Sequence, residues 1–257
     1  MNLPVLYISH GAPPLLEDET WMGQLANWAK EIEKPKGIVI VSAHWESAPI
    51  TISATAANTP LIYDFGGFSP KFYNMTYGTP DATWLGDLVA KLMPDNEPLR
   101  RHETRGLDHG AWVPLKVMYP DADIPVIQLS MPTHDPEKLL ELGNRLKPLK
   151  EQGVLVIGSG FMTHGLQFIR DWRIEAEAPM WSAEFDAWAK EALAKGDLET
   201  LVRYRETAPG MPYAHPTVEH FTPLFITLGA SSNPEQVAET KIDGYFMGLA
   251  KRSVQVA

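Results

Sequence analysis

Four short runs of consecutive apolar residues set the rhythm of the chain: Pro4-Val5-Leu6-Tyr7-Ile8, Gly37-Ile38-Val39-Ile40-Val41, Pro125-Val126-Ile127-Gln128-Leu129 and Val154-Leu155-Val156-Ile157. They are rich in β-branched residues and nearly continuous rather than alternating, the pattern of strands covered on both faces. Helix-like stretches lie between and after them, at residues 21–33, 82–93, 137–150 and 182–194. Pro80-Asp81 and Asp135-Pro136 supply helix starts, and Pro94 and Gly196 fall just past helix ends. Strand and helix in alternation predict an α/β fold with a largely parallel central sheet flanked by helices. Residues 48–77 carry Tyr63, Phe65, Phe68, Phe72, Tyr73 and Tyr77 among glycine, proline and threonine, and read as irregular or hairpin structure. Loops of that length are often functional. No fixed-period repeat, low-complexity tract or linker divides the chain, so a single domain over 1–257 is expected.

Composition narrows the class. The 257 residues, 44% hydrophobic and 21% charged, suffice for one globular domain with a buried core. Lys and Arg number 22 against 32 Asp and Glu, a formal charge of −10 that repels phosphate backbones and anionic lipid alike. No nucleic acid partner is expected. No apolar run reaches the roughly 18 to 20 residues that span a bilayer, and Met1-Asn2-Leu3-Pro4 does not open a signal peptide, so a cytoplasmic protein with no membrane partner is expected. The chain has no cysteine, which excludes a disulfide framework, a thiolate nucleophile, an iron–sulfur cluster and a cysteine zinc site. Any metal must sit on His, Asp or Glu.

The histidines then carry the chemical signal. His10 in Ser9-His10-Gly11-Ala12-Pro13, His44 in Ser42-Ala43-His44-Trp45-Glu46 and His164 after Gly158-Ser159-Gly160 each follow a predicted parallel strand. The carboxyl ends of such strands form the rim where α/β proteins bind ligands. His220, in His215-Pro216-Thr217-Val218-Glu219-His220, is a fourth candidate, with His215 competing for the same role. His109 is a fifth, flanked by Asp108, an acid placed to orient its ring. His102 and His134 read as surface residues. A lone histidine is usually a hydrogen-bonded, half-buried residue. Three at neighbouring strand ends point instead to a metal held by neutral imidazoles at those ends. There is no His-Glu-x-x-His motif, Walker loop or Gly-x-Ser-x-Gly elbow, and Gly158-Ser159-Gly160 lacks the rest of a dinucleotide fingerprint.

Together with Asp108-His109-Gly110-Ala111-Trp112 and Glu219-His220-Phe221, these segments resemble, in order and spacing, the class III extradiol ring-cleavage dioxygenases of the 4,5-DOPA branch. The resemblance runs over nearly the whole chain. It implies an α/β domain with a mononuclear non-haem centre, Fe(II) for catalysis and Zn(II) in some purified members, and a catechol and O2 as the small-molecule partners. It implies His10, His44 and His220 as metal ligands, His164 as the acid/base histidine and a possible fourth ligand, and His109 on the substrate side of the pocket. Glu46 and Glu219 are candidate carboxylates behind the ligand rings, and Tyr63, Phe65, Phe68 and Trp112 are candidates for contact with the substrate ring. Two segments depart from the family's pattern: Phe161-Met162-Thr163 ahead of His164, and Tyr245-Phe246-Met247-Gly248 near the C-terminus. Two other readings fit a three-histidine site: a zinc hydrolase, which would need no O2, and a catalytically silent metal or small-molecule binding protein.

Overall fold

The computed structural model describes residues 3–97 and 99–257. In chain order the strands are β1 (Val5–Ser9), β2 (Gly37–Glu46), β3 (Thr51–Ile52), β4 (Arg100–Arg101), β5 (Val126–Met131), β6 (Val154–Gly160), β7 (Glu239–Ile242), β8 (Tyr245–Phe246), β9 (Leu249–Ala250) and β10 (Ser253–Val256). The helices are α1 (Glu19–Glu31), α2 (Pro70–Tyr73), α3 (Thr83–Ala90), α4 (His109–Met118), α5 (Pro136–Leu146), α6 (Met180–Lys195), α7 (Leu198–Val202), α8 (Tyr204–Thr207) and α9 (Pro223–Ala230). The four apolar runs form the parallel centre of one sheet, in the order β5-β2-β6-β1. Its flanks are mixed: β3 lies antiparallel on β5 with β4 beyond it, and β10 lies antiparallel on β1 with β7 beyond it. β8 and β9 make a separate hairpin.

Side chains alternate across the sheet, and both sets are apolar, which is why these strands read as unbroken apolar runs. Val5, Tyr7, Val39, Val41, Val154 and Val156 share one core with α3, α5, α6 and α9. Leu6, Ile8, Ile38, Ile40, Leu155 and Ile157 face the other way, onto Trp21, Leu25 and Trp28 of α1 and Trp112 and Leu115 of α4. The chain is thus an α/β domain with a mostly parallel central sheet between helical layers.

Helix boundaries follow local chemistry. The Asp18 carboxylate accepts from the Trp21 amide at 2.9 Å and starts α1, and Asp135 accepts from the amides of Glu137 and Lys138 at the start of α5. Residues 137–150 were expected as one helix, but α5 ends at Leu146 and the chain tightens into a 3₁₀ turn at Lys147–Gln152, because Pro148 has no N–H to continue it. Gly196 closes α6 at φ 65°. α4 and α9 were not anticipated as helices: α9 is buried along its whole length, and α4 along nearly all of its own, so neither shows a polar stripe. Residues 48–77 are mostly irregular, interrupted by β3 and α2. Among the described residues no helix is long and apolar enough to cross a membrane.

Candidate metal centre and active site

β1 ends at Ser9, so His10 is the first residue beyond the strand; His44 lies near the end of β2, and His220 lies in the turn that leads into α9. Their imidazoles meet at one point. His10 Nε2 is 3.0 Å from His44 Nε2, and His220 Nε2 is 3.2 Å from the same atom. Two imidazole nitrogens coordinated about 2.1 Å from one metal, at right angles to each other, stand about 3.0 Å apart. The spacing therefore suits three ligands on one face of a metal ion, with the remaining positions open.

The atoms behind the rings decide which nitrogen faces inward. The Ser159 hydroxyl donates its one proton to the Gly110 carbonyl, so at 3.0 Å from His10 Nδ1 it must accept the Nδ1 proton. His220 Nδ1 donates to Glu219 Oε1 at 2.9 Å. His44 Nδ1 faces Asp64 Oδ2 at 3.5 Å. All three rings are thus held with a lone pair on the inward Nε2, the arrangement that metal-binding histidines need. Burial, reinforced by neighbouring histidines, pushes His10 and His220 well below the usual histidine range, and burial takes His44 down to about 3. Neutral imidazoles are the ligating form, so this donor set fits a divalent metal.

Strand geometry explains the Gly158-Ser159-Gly160 segment. Ser159 faces His10, whereas Gly158 and Gly160 face the other way, Gly158 toward Pro223 and Thr227 of α9 and Gly160 toward the His220 carbonyl. A Cβ at Gly160 would strike the His220 carbonyl, which also accepts from Tyr7 Oη at 2.8 Å and from the Phe161 amide at 2.9 Å. Gly160 admits the His220 backbone and Gly158 the first turn of α9 against β6, so the glycines serve close backbone packing. Gly110 serves the opposite side, where a Cβ would crowd His10 Cε1 at 3.1 Å and His44 Cδ2 at 3.2 Å.

His109 opens α4, and its orienting acid is Asp64, not Asp108. Asp64 Oδ1 accepts from His109 Nδ1 at 2.7 Å and from the His109 amide at 3.1 Å. Burial alone would raise the Asp64 carboxyl, but its hydrogen bond with His109 and the closeness of the His109 and His44 rings hold it at about 2. Asp108 turns instead to Gln128 and Arg105, and its burial raises its own carboxyl. Of the two carboxylates expected behind the ligands, Glu219 is in place and Glu46 is not; Glu46 reaches His134 Nε2 at 2.6 Å.

His164 stacks on His220, and its ring makes no hydrogen bond within the chain among the described residues. Burial, with smaller contributions from His215 and His109, lowers its pKa to about 3. Its ring nitrogen groups with His220 and Glu219 rather than with His10 and His44. His215 joins no cluster: its Nε2 donates to the Met162 carbonyl at 2.9 Å and its ring packs against Phe185 and Phe221.

The histidines form the floor of a cavity of about 570 Å³. Phe65 and Phe68 line it; Tyr63 and Trp112 do not. Trp112 is fully buried, its Nε1 donating to the Ile62 carbonyl at 3.3 Å, and Tyr63 donates to the Met75 carbonyl at 2.5 Å. Both stand behind Phe65, about 6 Å from its ring. The walls add Phe161, Leu166, Trp172 and Phe246, which sequence reasoning did not single out as contact residues. Asp64 was also missed. Its only local sign is its place between Tyr63 and Phe65 in the long aromatic loop, because its partners lie 20 and 45 residues away.

Comparison with known proteins agrees with this geometry. Residues 5–251 match the model of the catalytic LigB subunit of aromatic ring-opening dioxygenase. A Beta vulgaris protein named 4,5-DOPA dioxygenase extradiol is 40% identical over 235 residues, 88% of this chain and 85% of the relative. An Escherichia coli K12 protein of the same name is 33% identical over 261 residues, 99% of this chain and 95% of the relative. The crystal structure of an uncharacterized Escherichia coli K12 protein superposes with a TM-score of 0.82 at 30% identity, covering 99% of this chain and all of the other. Dioxygenases of this type depend on a non-haem metal and consume a small molecule and O2. The chain belongs to the LigB family and is an extradiol ring-cleavage dioxygenase.

Proposed function

We propose that the enzyme uses Fe(II) to insert both atoms of O2 into a catechol, with DOPA-like compounds as the first candidates, and opens the ring beside the diol to a muconic semialdehyde. The observation that carries this reading is the convergence of three Nε2 lone pairs beside a histidine whose ring has no partner in the chain. His10, His44 and His220 would hold the ion. When bound, it supplies positive charge for the catechol oxygens and a route for electrons from ring to O2.

The chain's own groups do the rest. The His164 ring makes no hydrogen bond within the chain among the described residues, so a ring lone pair is free to take a proton from a catechol hydroxyl and later return it to the departing oxygen. Stacking on His220 fixes the plane of its ring and places it against the ligand set. His109 keeps its Nδ1 proton on Asp64 and offers Nε2 to the second hydroxyl; the charged Asp64 steadies the imidazolium if His109 gains a proton. Phe65 and Phe68 cover the cavity side where a substrate ring would lie, and restrict water there.

The direct test loads the protein with Fe(II) without oxygen, then follows O2 consumption and the yellow product with L-DOPA, protocatechuate and simpler catechols. One O2 consumed per product formed is expected. No uptake across the panel, with metal content confirmed, would overturn the reading.

A further inference from the structure

Among the described residues no lysine or arginine lines the cavity over the histidines, and its one acid, Asp64, is engaged by His109 and His44. An amino-acid group buried there would lose water and gain no partner. Charged groups stand beside it instead. A second cavity, of about 520 Å³, shares Met247 with the first.

Two stretches of chain pass from one cavity to the other. Beyond His164, Leu166 lines the first, and residues 167–171 line the second. Phe246 lines the first, and Met247, next in the chain, lines both. Met247 and Gly248 form the two-residue turn of the β8–β9 hairpin, at φ 53° and 77°. A side chain is rarely held in that left-handed region, and such positions gather at ligand sites. The turn is fixed against the loop that builds the second cavity. The Met247 amide donates to the Ile174 carbonyl at 3.0 Å, and a Cβ on Gly248 would come within 3.1 Å of the Glu177 carbonyl oxygen.

The second cavity sets Phe168, Ile169 and Trp181 beside three charged residues, Arg170, Asp171 and Glu177. Asp171 is paired with Arg173, whereas the side chains of Arg170 and Glu177 make no hydrogen bond or ion pair among the described residues. One free cation and one free carboxylate beside apolar surface match the two charges of an α-amino acid. We infer that Arg170 and Glu177 determine specificity by taking, respectively, the carboxylate and the ammonium of an amino-acid ring substituent that passes Met247 out of the catechol cavity. This rests on the catechol-cleavage reading above and assigns residues to the charged end of a DOPA-like substrate.

The test crosses two variants with four catechols in Fe(II)-loaded enzyme. L-DOPA carries both charges, dopamine only the ammonium, 3-(3,4-dihydroxyphenyl)propionate only the carboxylate, and 4-ethylcatechol neither. Arg170→Ala should raise KM roughly three- to tenfold for L-DOPA and the propionate, and leave dopamine and 4-ethylcatechol unchanged. Glu177→Gln should raise it by a similar factor for L-DOPA and dopamine alone. Turnover of 4-ethylcatechol reports the folding and metal loading of each variant. Equal effects on all four compounds, or none on L-DOPA, would overturn the inference.

The same crossed pattern is read without turnover from binding under nitrogen, by quenching of tryptophan fluorescence. No cleavage of any catechol, with the pattern present in binding, would overturn the catechol-cleavage reading and leave the assignment of Arg170 and Glu177 standing. Cleavage without the pattern would do the reverse.

Discussion

The imidazole of His164 lies flat on that of His220, with ring centroids 3.4 Å apart and planes within 12° of parallel. One ring has its Nδ1 proton on Glu219 and its lone pair aimed at the metal position; the other has no hydrogen bond within the chain among the described residues. Stacking fixes the second ring without engaging its nitrogens, which leaves them for substrate.

His164→Ala should therefore keep the metal and lose turnover, by roughly 10²–10⁴-fold in kcat. Metal content after desalting, together with O2 uptake, checks this. Normal turnover would remove the acid/base role, and loss of metal would make His164 a ligand.

Asp64 joins His44, one of the proposed ligands, to His109 through its two oxygens. Asp64→Ala is expected to weaken metal affinity by roughly 10–100-fold, as is usual for a group that orients a ligand from behind. It should also lower kcat in metal-saturated enzyme, because His109 loses its anchor. Competition with a chelator reads the first effect and saturating Fe(II) kinetics the second. Asp64→Glu should recover part of both.

Ser159→Ala leaves the buried His10 Nδ1–H without an acceptor, at a cost of about 1–3 kcal/mol if that proton stays in place. Metal affinity should fall, because the ring can then move its proton to the inward nitrogen. Metal titration and urea unfolding of the metal-free protein separate the two consequences.

Acid should destabilise the metal-free protein well above the pH at which most carboxylates titrate. Burial pushes His215 to about 4, whereas in the unfolded chain an imidazole returns to about 6.5. Between these values the unfolded chain holds the extra proton, so stability is complete above about 6.5 and falls as pH drops toward 4. The slope is up to about 1.4 kcal/mol per pH unit for this one residue. His44 and His164, both at about 3, add with the same sign. Urea midpoints at pH 7.5, 6 and 5 should decline in that order; constant midpoints would show that these imidazoles are protonated in the folded state.

Outside the lining of the cavity, Arg252 meets Asp186 through two hydrogen bonds of 2.7 Å, with both side chains buried. Asp186→Ala strands the guanidinium and should cost about 3–5 kcal/mol of stability. Activity per folded molecule should be unchanged, which distinguishes this variant from those at the metal centre.

The parallel centre of the sheet was legible because β1, β2, β5 and β6 are apolar on both faces, and the histidines that follow predicted strands, His10, His44 and His164, line one cavity. The flanking strands were not: β3 and β4 are two residues long, and β7 has three polar residues among its four, as suits an exposed edge. Glu46 misled because it follows His44 by two residues, yet strand alternation alone does not say what lies beyond its carboxylate, and His134 does. Trp112 sits within the motif that carries His109, but a helix turns its side chain into the core. Asp64 depends on a loop folding back across 45 residues to His109, and nothing in the local pattern records that return.

β1 carries His10 and hydrogen-bonds on one side to β6 and on the other to β10, so its neighbours come from about 150 and 250 residues further along the chain. Contacts that distant are slow to form, because the intervening chain must close before they give any return. His10, the earliest of the proposed ligands along the chain, thus follows a strand that the last part of the sheet completes. Metal capture by the proposed set His10, His44 and His220 is therefore expected late in folding.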